Sequence, residues 1–176
     1  MELRELTLGM APSREAELDA FERLMGRHQR QVLTTALRLL GRLEDAQDAA
    51  QEVFLRLYRF RHRLDVDRDP APWLYRMTVN VCHDLRRKRA ELVLEDSGDF
   101  AGEAPDPAAA LDRQRQLARI REGLKRLPEK ERAAVVLRDI EGLSTAEVAK
   151  ILGSSETTVR SEISRARLKL RRFAGR

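Results

Sequence analysis

Residues 143–172 read LSTAEVAKILGSSETTVRSEISRARLKLRR and contain two helical patterns separated by a glycine. Ser144 precedes Glu147 by three residues, which is the capping-box spacing that begins a helix. Gly153 is placed to end this helix, and the two serines that follow it can cap the next one. A short helix, a glycine-containing turn and a second capped helix predict a helix-turn-helix.

The second of these helices has an apolar side and a basic side. At 100° per residue, one narrow arc holds the apolar residues Val159, Ile163, Ala166 and Leu170. The opposite side carries hydroxyl and guanidinium groups: Arg160, Ser161, Ser164, Arg165, Arg171 and Arg172. Such side chains reach base edges and phosphates when a helix enters a major groove. We therefore predict DNA binding, with an ordinary basic surface helix as the alternative.

The size and composition of the chain limit the classes of protein to which it can belong. The chain has 176 residues, 42% of them hydrophobic, which is enough for one domain or two small ones with buried cores. Its single cysteine cannot form an internal disulfide or a multi-cysteine zinc site, so we expect the cytoplasm, no metal and no cofactor. The sequence has no long apolar run and no signal-peptide pattern, so we expect neither membrane insertion nor export.

Charge is distributed unevenly along the chain. Residues 90–112 contain seven acidic and no basic residues, whereas residues 113–176 contain 17 basic and eight acidic ones. A basic excess at the carboxyl-terminal end is typical of a module that binds a polyanion. The alternative is a solvated, arginine-rich surface.

The acidic middle segment predicts a linker, because its acidic residues are mixed with Ser, Gly and Pro and show little periodicity. Elsewhere the apolar spacing is helical and strand signals are missing. We predict an all-α fold with two small helical domains, residues 14–89 and 111–174, joined by a flexible acidic linker over residues 90–110. Fully extended, this linker spans roughly 65–70 Å. The predicted helices cover about residues 15–40, 45–60, 72–89, 109–126, 128–140, 144–152 and 156–172, with stops at Gly41, Gly142 and Gly153.

The second predicted helix, EDAQDAAQEVFLRLYRF, combines a core stripe with an acidic row. The stripe consists of Ala46, Ala49, Ala50, Val53, Phe54, Leu57 and Phe60. Asp45, Asp48 and Glu52 lie beside it. This row is either solvated surface or a docking face for a basic partner.

The third predicted helix contains residues 73–89, which read WLYRMTVNVCHDLRRKR. Its apolar face consists of Leu74, Tyr75, Met77, Val79, Val81, Cys82 and Leu85. Cys82 is therefore predicted to be a core residue, and His83 points about 100° away from it, which disfavours a catalytic or metal-binding pair. The opposite arc carries Trp73, Arg76, Asn80 and Arg87, with Arg86, Lys88 and Arg89 at the helix end. Such a stripe combines stacking surface, amide recognition and phosphate-binding charge.

Together these motifs resemble a known family. In order and spacing, DAQDAAQEVFLRLYRF, WLYRMTVNVCHDLRRKR, LPEKERAAVVLRDIEGLSTAEVAKILG and TVRSEISRAR are similar to the successive regions of an extracytoplasmic-function sigma factor of the sigma-70 family. The resemblance covers residues from about 20 to 172. It implies a non-catalytic subunit of bacterial RNA polymerase with domains called sigma-2 and sigma-4. It also implies promoter recognition and melting, a stress-response role and a cognate anti-sigma factor.

The resemblance also implies roles for single residues. Contact with the clamp helices of the largest polymerase subunit falls on Asp45, Asp48, Gln51 and Glu52. Minus-ten promoter contacts fall on Arg63, Trp73, Arg76, Asn80, Arg86 and Arg87, and it stays open whether the helix or the loop before it reads the bases. Minus-thirty-five contacts fall on Arg160, Ser161, Ser164 and Arg165. Glu162 departs from the basic residue common in the family, and we expect it to pair with Arg165 or Lys169.

Two other classes of protein fit parts of the sequence. A stand-alone helix-turn-helix regulator would use its amino-terminal bundle to sense a ligand or to dimerise, but no obvious dimer helix is present. An enzyme would need a nucleophile beside a base, and Cys82 with His83 is the only adjacent candidate pair.

Overall fold

The computed structural model describes residues 14–61, 69–93 and 111–174. Within these ranges the chain is helical and contains no strand, as the sequence predicts. The helices are α1 (Arg14–Leu40), α2 (Leu43–Arg59), α3 (Ala71–Val93), α4 (Leu111–Lys125), α5 (Glu129–Val135), α6 (Thr145–Leu152) and α7 (Glu156–Ala174). A π-helical turn, Val136–Ile140, continues α5 without a break.

Helix ends agree with the predicted ends to within a few residues. Gly41, Gly142 and Gly153 have φ angles of 82°, 78° and 60°, so all three turns use the left-handed conformation that glycine adopts without steric cost. One helix differs more: α3 runs to Val93, four residues into the predicted linker. The rest of that linker, residues 94–110, lies outside the described residues.

Helices α1–α3 form the first unit, called here the N-terminal unit. Their buried faces meet along the apolar stripe of α2, where Ala46, Ala49, Val53 and Leu57 are fully buried. The prediction fails at Phe60, which is 42% exposed, because α2 ends at Arg59 and Phe60 lies beyond its last turn. Other buried residues of this unit are Phe21, Val32, Thr35, Ala36, Leu39, Leu74, Tyr75, Thr78, Val81 and Cys82.

Helices α4–α7 form the C-terminal unit. Its core lies between α5 with its π-helical turn, α6 and the apolar face of α7. On α7 the predicted stripe is confirmed at its buried positions Val159, Ile163 and Ala166, while Leu170 is partly buried. Other buried residues of this unit are Leu124, Leu127, Glu131, Arg132, Ala133, Ala134, Val135, Val136, Leu137, Val148, Ala149 and Ile151.

The two units pack directly against each other. Tyr75 of α3 is buried among Ala134, Leu137 and Val148 of the C-terminal unit. The guanidinium of Arg132, itself 3% exposed, donates to the carbonyl oxygen of Leu39 at the end of α1 (2.6 Å). The units predicted from the sequence therefore share buried contacts across their boundary.

Arg132 also binds the end of a second helix. It donates to the carbonyl oxygens of Lys125 (2.7 Å) and Leu127 (2.9 Å), where α4 ends. The last carbonyls of a helix have no partner inside the helix and carry partial negative charge, so a buried cation satisfies them. Burial, with the nearby Arg86 second, lowers the pKa of Arg132 to about 10. Arg132 therefore stays charged at neutral pH and ties α1 and α4 together.

Candidate nucleic-acid and partner interfaces

The helix-turn-helix consists of α6, the turn at Gly153 and α7. The capping box is formed: the Glu147 amide donates to Ser144 Oγ (3.2 Å) and the Ser144 amide donates to Glu147 Oε2 (2.7 Å). Hydrogen bonding of the Glu147 carboxylate with the side chain and, second, the backbone of Ser144 lowers the pKa of Glu147. Ser155 caps α7, where its Oγ accepts from the Thr158 amide (3.1 Å). Both caps predicted from the sequence thus fix the two helices relative to the turn.

The polar face of α7 is open to solvent. Arg160 is the more exposed of the two arginines predicted to contact DNA, with 66% of its side chain exposed. It forms an ion pair with Glu156 one turn earlier (2.8 Å), which holds it along the helix. The Ser161 hydroxyl donates to the carbonyl oxygen of Thr157 (3.1 Å), and Ser164 is also exposed.

Arg160 and Ser164 line a basic concavity of about 460 Å³ beside the start of α6. Three further arginines, Arg138, Arg167 and Arg171, surround it. Ser161 and Arg165 are not part of its lining. The helical wheel places Arg171 on the polar face of α7, whereas Arg138 lies on another element and could be found only from the fold.

Arg167 is held in place by an acid from the π-helical turn. Its Nε and Nη2 donate to the two carboxylate oxygens of Asp139 at 2.8 and 2.7 Å. Hydrogen bonding to Asp139 raises the pKa of Arg167. This two-point contact fixes the plane of the guanidinium next to the concavity.

Arg165 is partly neutralised within the protein. It pairs with Glu162 (2.8 Å), as the sequence predicts, and lies 3.6 Å from the buried carboxylate of Glu131. Lys169 binds Glu131 (2.7 Å) rather than Glu162. The side chain of Glu162 is 15% exposed and lines a cavity together with Asn80 and His83 of α3. Glu162 is therefore placed at the edge of the DNA-facing surface and next to the N-terminal unit.

Helix α3 separates core from surface as the wheel predicts. Leu74, Tyr75, Val81 and Cys82 are buried, and burial raises the pKa of the Cys82 thiol to about 12. A neutral, buried thiol is a poor nucleophile, and His83 is exposed on another side of the helix. Cys82 is thus a core residue, as predicted.

The opposite arc of α3 presents the predicted minus-ten residues. Trp73 is 37% exposed, Arg76 and Asn80 are exposed, and the Arg87 side chain is 63% exposed. Arg86 is half-buried. Arg63, in the loop before this helix, lies outside the described residues. The structure therefore brings an aromatic ring, an amide and cations together on one helix face.

The acidic row of α2 divides into paired and open positions. Asp45 binds Arg89 of α3 (2.5 Å), and burial raises its pKa. Glu52 binds Arg56 one turn later (2.7 Å). Asp48 and Gln51 are exposed to solvent. Two of the four predicted contact residues are thus engaged within the protein, and two present their polar groups outward.

None of the helices in the described ranges has the length and hydropathy needed to span a membrane. Within the same residues, His, Cys, Asp and Glu do not gather into a group of three or more that could hold a metal ion.

The fold and these surfaces define a class: a two-unit helical DNA-binding protein with a helix-turn-helix in its C-terminal unit and a basic, aromatic helix beside an acidic row in the other. Comparison with known proteins gives the family. The model of sigma-70 region 2 matches residues 24–91, and that of sigma-70 region 4 matches residues 117–170.

Individual relatives agree with the family models. The chain is 40% identical over 160 residues to the ECF RNA polymerase sigma factor SigM of Mycobacterium tuberculosis, covering 89% of this chain and 78% of SigM. It is 35% identical over 162 residues to the RNA polymerase sigma factor CnrH of Cupriavidus metallidurans, with 86% and 84% covered. The chain belongs to the extracytoplasmic-function group of the sigma-70 family, and as an RNA polymerase sigma factor it directs promoter recognition.

Two solved structures share the fold. CnrH in complex with the cytosolic domain of CnrY aligns with a TM-score of 0.65 at 30% identity, covering 90% of this chain and 89% of that one. The sigma factor RpoE in complex with the anti-sigma factor NepR from Bartonella quintana aligns with a TM-score of 0.74 at 24% identity, covering 88% and 96%. Both alignments extend over the two helical units.

Proposed function

We propose that this sigma factor binds core polymerase through the acidic row of α2 and reads its promoter with two separate helices, α3 and α7. The observation that carries the proposal is the order of the matches: region 2 falls on the N-terminal unit and region 4 on the C-terminal unit. Each unit also presents an exposed helix face with the required chemistry.

On the polymerase side, Asp48 and Gln51 would meet basic residues of the clamp helices of the largest subunit. Both are exposed in α2, next to the paired Asp45 and Glu52. Opposite charges across an interface accelerate association and fix register. Asp45 and Glu52 would stabilise this surface through their ion pairs with Arg89 and Arg56.

On the DNA side, α7 would enter the major groove of the minus-thirty-five element. Arg160 and Ser164 would reach base edges, while the arginines around the basic concavity would bind phosphates and fix the register. In the minus-ten element, Trp73 would stack on unpaired bases and Asn80 would offer its amide, which shifts the duplex toward the melted state. Arg63, Arg76, Arg86 and Arg87 would supply further contacts on that strand.

Nucleotide addition would belong entirely to the polymerase, so we propose no catalytic role for this chain. We place it in the cytoplasm, where its polymerase and promoters are found. A cognate anti-sigma factor is the further protein partner we infer. The solved complex of the related CnrH with the cytosolic domain of CnrY supports a partner of this kind.

The test combines the purified chain, core polymerase and a library of random promoters, with sequencing of the transcript starts. We expect starts that share two upstream elements and that vanish when the chain is omitted. A stand-alone regulator would bind duplex DNA without creating starts, and that result would refute the proposal. The matches over both units disfavour such a regulator.

A further inference from the structure

The solvent-facing side of α7 has an uncharged line of residues at its centre. On a helical wheel, Ser161 and Ser164 lie within about 40° of Leu168, and Leu168 lies about 180° from the buried Val159. Both serines are exposed, and Leu168 is 49% exposed. An apolar side chain therefore occupies the position of α7 that points most directly away from the core.

Two rows of cations flank this central line. One row consists of Arg160, Arg167 and Arg171, and the other consists of Arg165, Lys169 and Arg172. On the wheel the two rows lie about 40–100° from Leu168, one on each side. When a helix lies in a major groove, the phosphates of the two strands pass along its sides and the base edges lie beneath it. The rows are therefore placed for phosphates and the central line for bases, although the long side chain of Arg160 can also reach a base edge.

Ion pairs draw cations of the first row away from the central line. Arg160 pairs with Glu156 (2.8 Å), which lies about 120° from Leu168 on the wheel and thus farther round the helix than Arg160 itself. Arg167 pairs with Asp139 of the π-helical turn (2.7 Å). On this side the guanidinium groups therefore leave Leu168 uncovered.

The second row is held in the same way. Arg165 pairs with Glu162 (2.8 Å), which lies about 120° from Leu168 on the other side of the wheel. Lys169 pairs with the buried carboxylate of Glu131 in α5 (2.7 Å). Acidic residues on both sides of α7 thus keep the central line open between the two cationic rows.

The surroundings of Leu168 indicate what it can contact. With Ile163 it supplies the apolar part of the lining of the basic concavity, and Ile163 is buried whereas Leu168 is half exposed. A single exposed leucine is ordinary on a protein surface, but this one lies within the proposed DNA contact. On the base edges of the major groove, the apolar group is the 5-methyl group of thymine.

We propose that Leu168 is a base-reading residue that selects a thymine of the minus-thirty-five element by contact with its 5-methyl group. The proposal rests on the DNA-binding role of α7 given above. Leu168 follows Ser161 by seven residues, which is about 10 Å along the helix, so the thymine lies within about three base pairs of the pair that Ser161 faces. The contact removes apolar surface of both groups from water, and the other bases have no methyl group to offer.

The experiment removes this methyl group alone. The minus-thirty-five element is taken from the transcript starts obtained with the promoter library, and each thymine in it is replaced in turn by uracil, which lacks only the 5-methyl group. Competition with a labelled reference promoter measures the affinity of the holoenzyme for each duplex. We expect one uracil to weaken wild-type binding about fourfold, which is the contribution of one buried methyl group.

The variant Leu168→Ala should weaken binding to the thymine promoter about fourfold or more and should bind the thymine and uracil promoters equally well. Because Leu168 is half exposed, we expect this variant to fold, and circular dichroism checks it. Arg172→Ala, in the flanking row, should weaken binding to both promoters by the same factor, because it removes a phosphate contact. Leu18→Ala removes a leucine of α1 that is 40% exposed and should leave both affinities unchanged.

Equal loss of affinity for the thymine and uracil promoters in Leu168→Ala would overturn the proposal, since it would mean a contact with sugar or protein. Wild-type binding that no uracil weakens would overturn it as well. Either result would leave the sigma-factor function intact, because the wild type would still produce transcript starts. The absence of any starts with the wild type would instead refute the sigma-factor function itself.

Discussion

Arg160 and Arg165 lie on the same face of α7 but are held differently. Arg160 has one local ion pair, with Glu156, on an exposed surface. Arg165 pairs with Glu162 and lies near the buried Glu131. Exposed pairs within a helix are weak, so Arg160 can exchange its partner for a base or a phosphate at small cost. Arg165 must leave two acidic neighbours to do the same.

We therefore expect Arg160→Ala to weaken minus-thirty-five-dependent transcription by about tenfold or more, the effect of losing one specific base contact. Arg165→Ala should have a smaller effect. Affinity for core polymerase, measured by fluorescence anisotropy, should not change in either variant. Lys150→Ala, an exposed cation of α6, is the control. Equal loss of polymerase binding and promoter use in Arg160→Ala would contradict the assignment.

The hydrogen bond from Tyr75 of α3 to Glu141 of the C-terminal unit makes the contact between the two units sensitive to alkaline pH. Burial, with the neighbouring Glu141 carboxylate second, raises the pKa of Tyr75 to about 12. The hydroxyl donates to Glu141 only while it is protonated. Because the folded pKa lies above the ordinary value of 10.0, the stabilisation is complete below pH 10 and is lost as the pH rises toward 12.

The ultraviolet absorbance of tyrosinate should thus show a late ionisation step near pH 12 in the folded protein, and Tyr75→Phe should abolish it. The chain has two tyrosines, so the remaining signal of Tyr75→Phe reports Tyr58 alone. A wild-type titration without a late step near pH 12 would contradict a buried, donating hydroxyl at Tyr75.

At the scale of the element, α2 carries two kinds of acidic residue on one surface. Asp45 is tied to Arg89 of α3, whereas Asp48 presents its carboxylate to solvent. Asp48→Arg should lower the affinity for core polymerase about tenfold, because a like charge opposite basic residues is repulsive. Titration of labelled polymerase measures this affinity.

Asp19→Arg makes the same charge change on an exposed position of α1 and should leave the affinity for polymerase unaltered. Salt supplies a second criterion, since surface electrostatics are screened as ionic strength rises. The difference between Asp48→Arg and the wild type should therefore shrink in high salt. Wild-type affinity in Asp48→Arg at low salt would show that this part of the row is only solvated surface.

Local sequence predicts the elements well where the cause of the structure is local. The cap at Ser144 and the turn at Gly153 depend on neighbouring residues, and both are observed. Phe60 fits the helical spacing of α2 but lies past its last turn, so periodicity alone misplaces it. The spacing of apolar residues along the sequence does not predict the π-helical turn after α5. Val136 and Leu137 of this turn are fully buried, and they pack against helices that are distant in the sequence.

At the scale of the whole molecule, long-range polar contacts join the units, and helical spacing and local motifs in the sequence do not predict them. Glu141 and Arg38 are 103 residues apart, and Arg132 and Leu39 are 93 apart. In the sequence Arg132 belongs to the run EKER, which is typical of a solvated helix start. The acidic linker suggests two separate domains, whereas the described residues share buried contacts across the boundary.

Because the N-terminal and C-terminal units share buried contacts, we expect them to unfold together. Arg132 donates to carbonyl oxygens at the ends of α1 and α4, so it couples the two units. We expect urea unfolding of the wild type to be a single transition, with the fluorescence of Trp73 and circular dichroism changing together. Trp73 is the only tryptophan in the chain and reports the N-terminal unit alone, while circular dichroism reports the helices of both.

Arg132→Met keeps an unbranched side chain but removes the donors, leaving buried carbonyls without partners at about 1–3 kcal/mol each. It should lower the free energy of unfolding by about 3 kcal/mol or more and separate the fluorescence and circular dichroism midpoints. Arg121→Met on the exposed side of α4 should change neither quantity. Coincident transitions in Arg132→Met with wild-type stability would mean that the units are coupled without this cation. Separate transitions in the wild type would mean that they are not coupled at all.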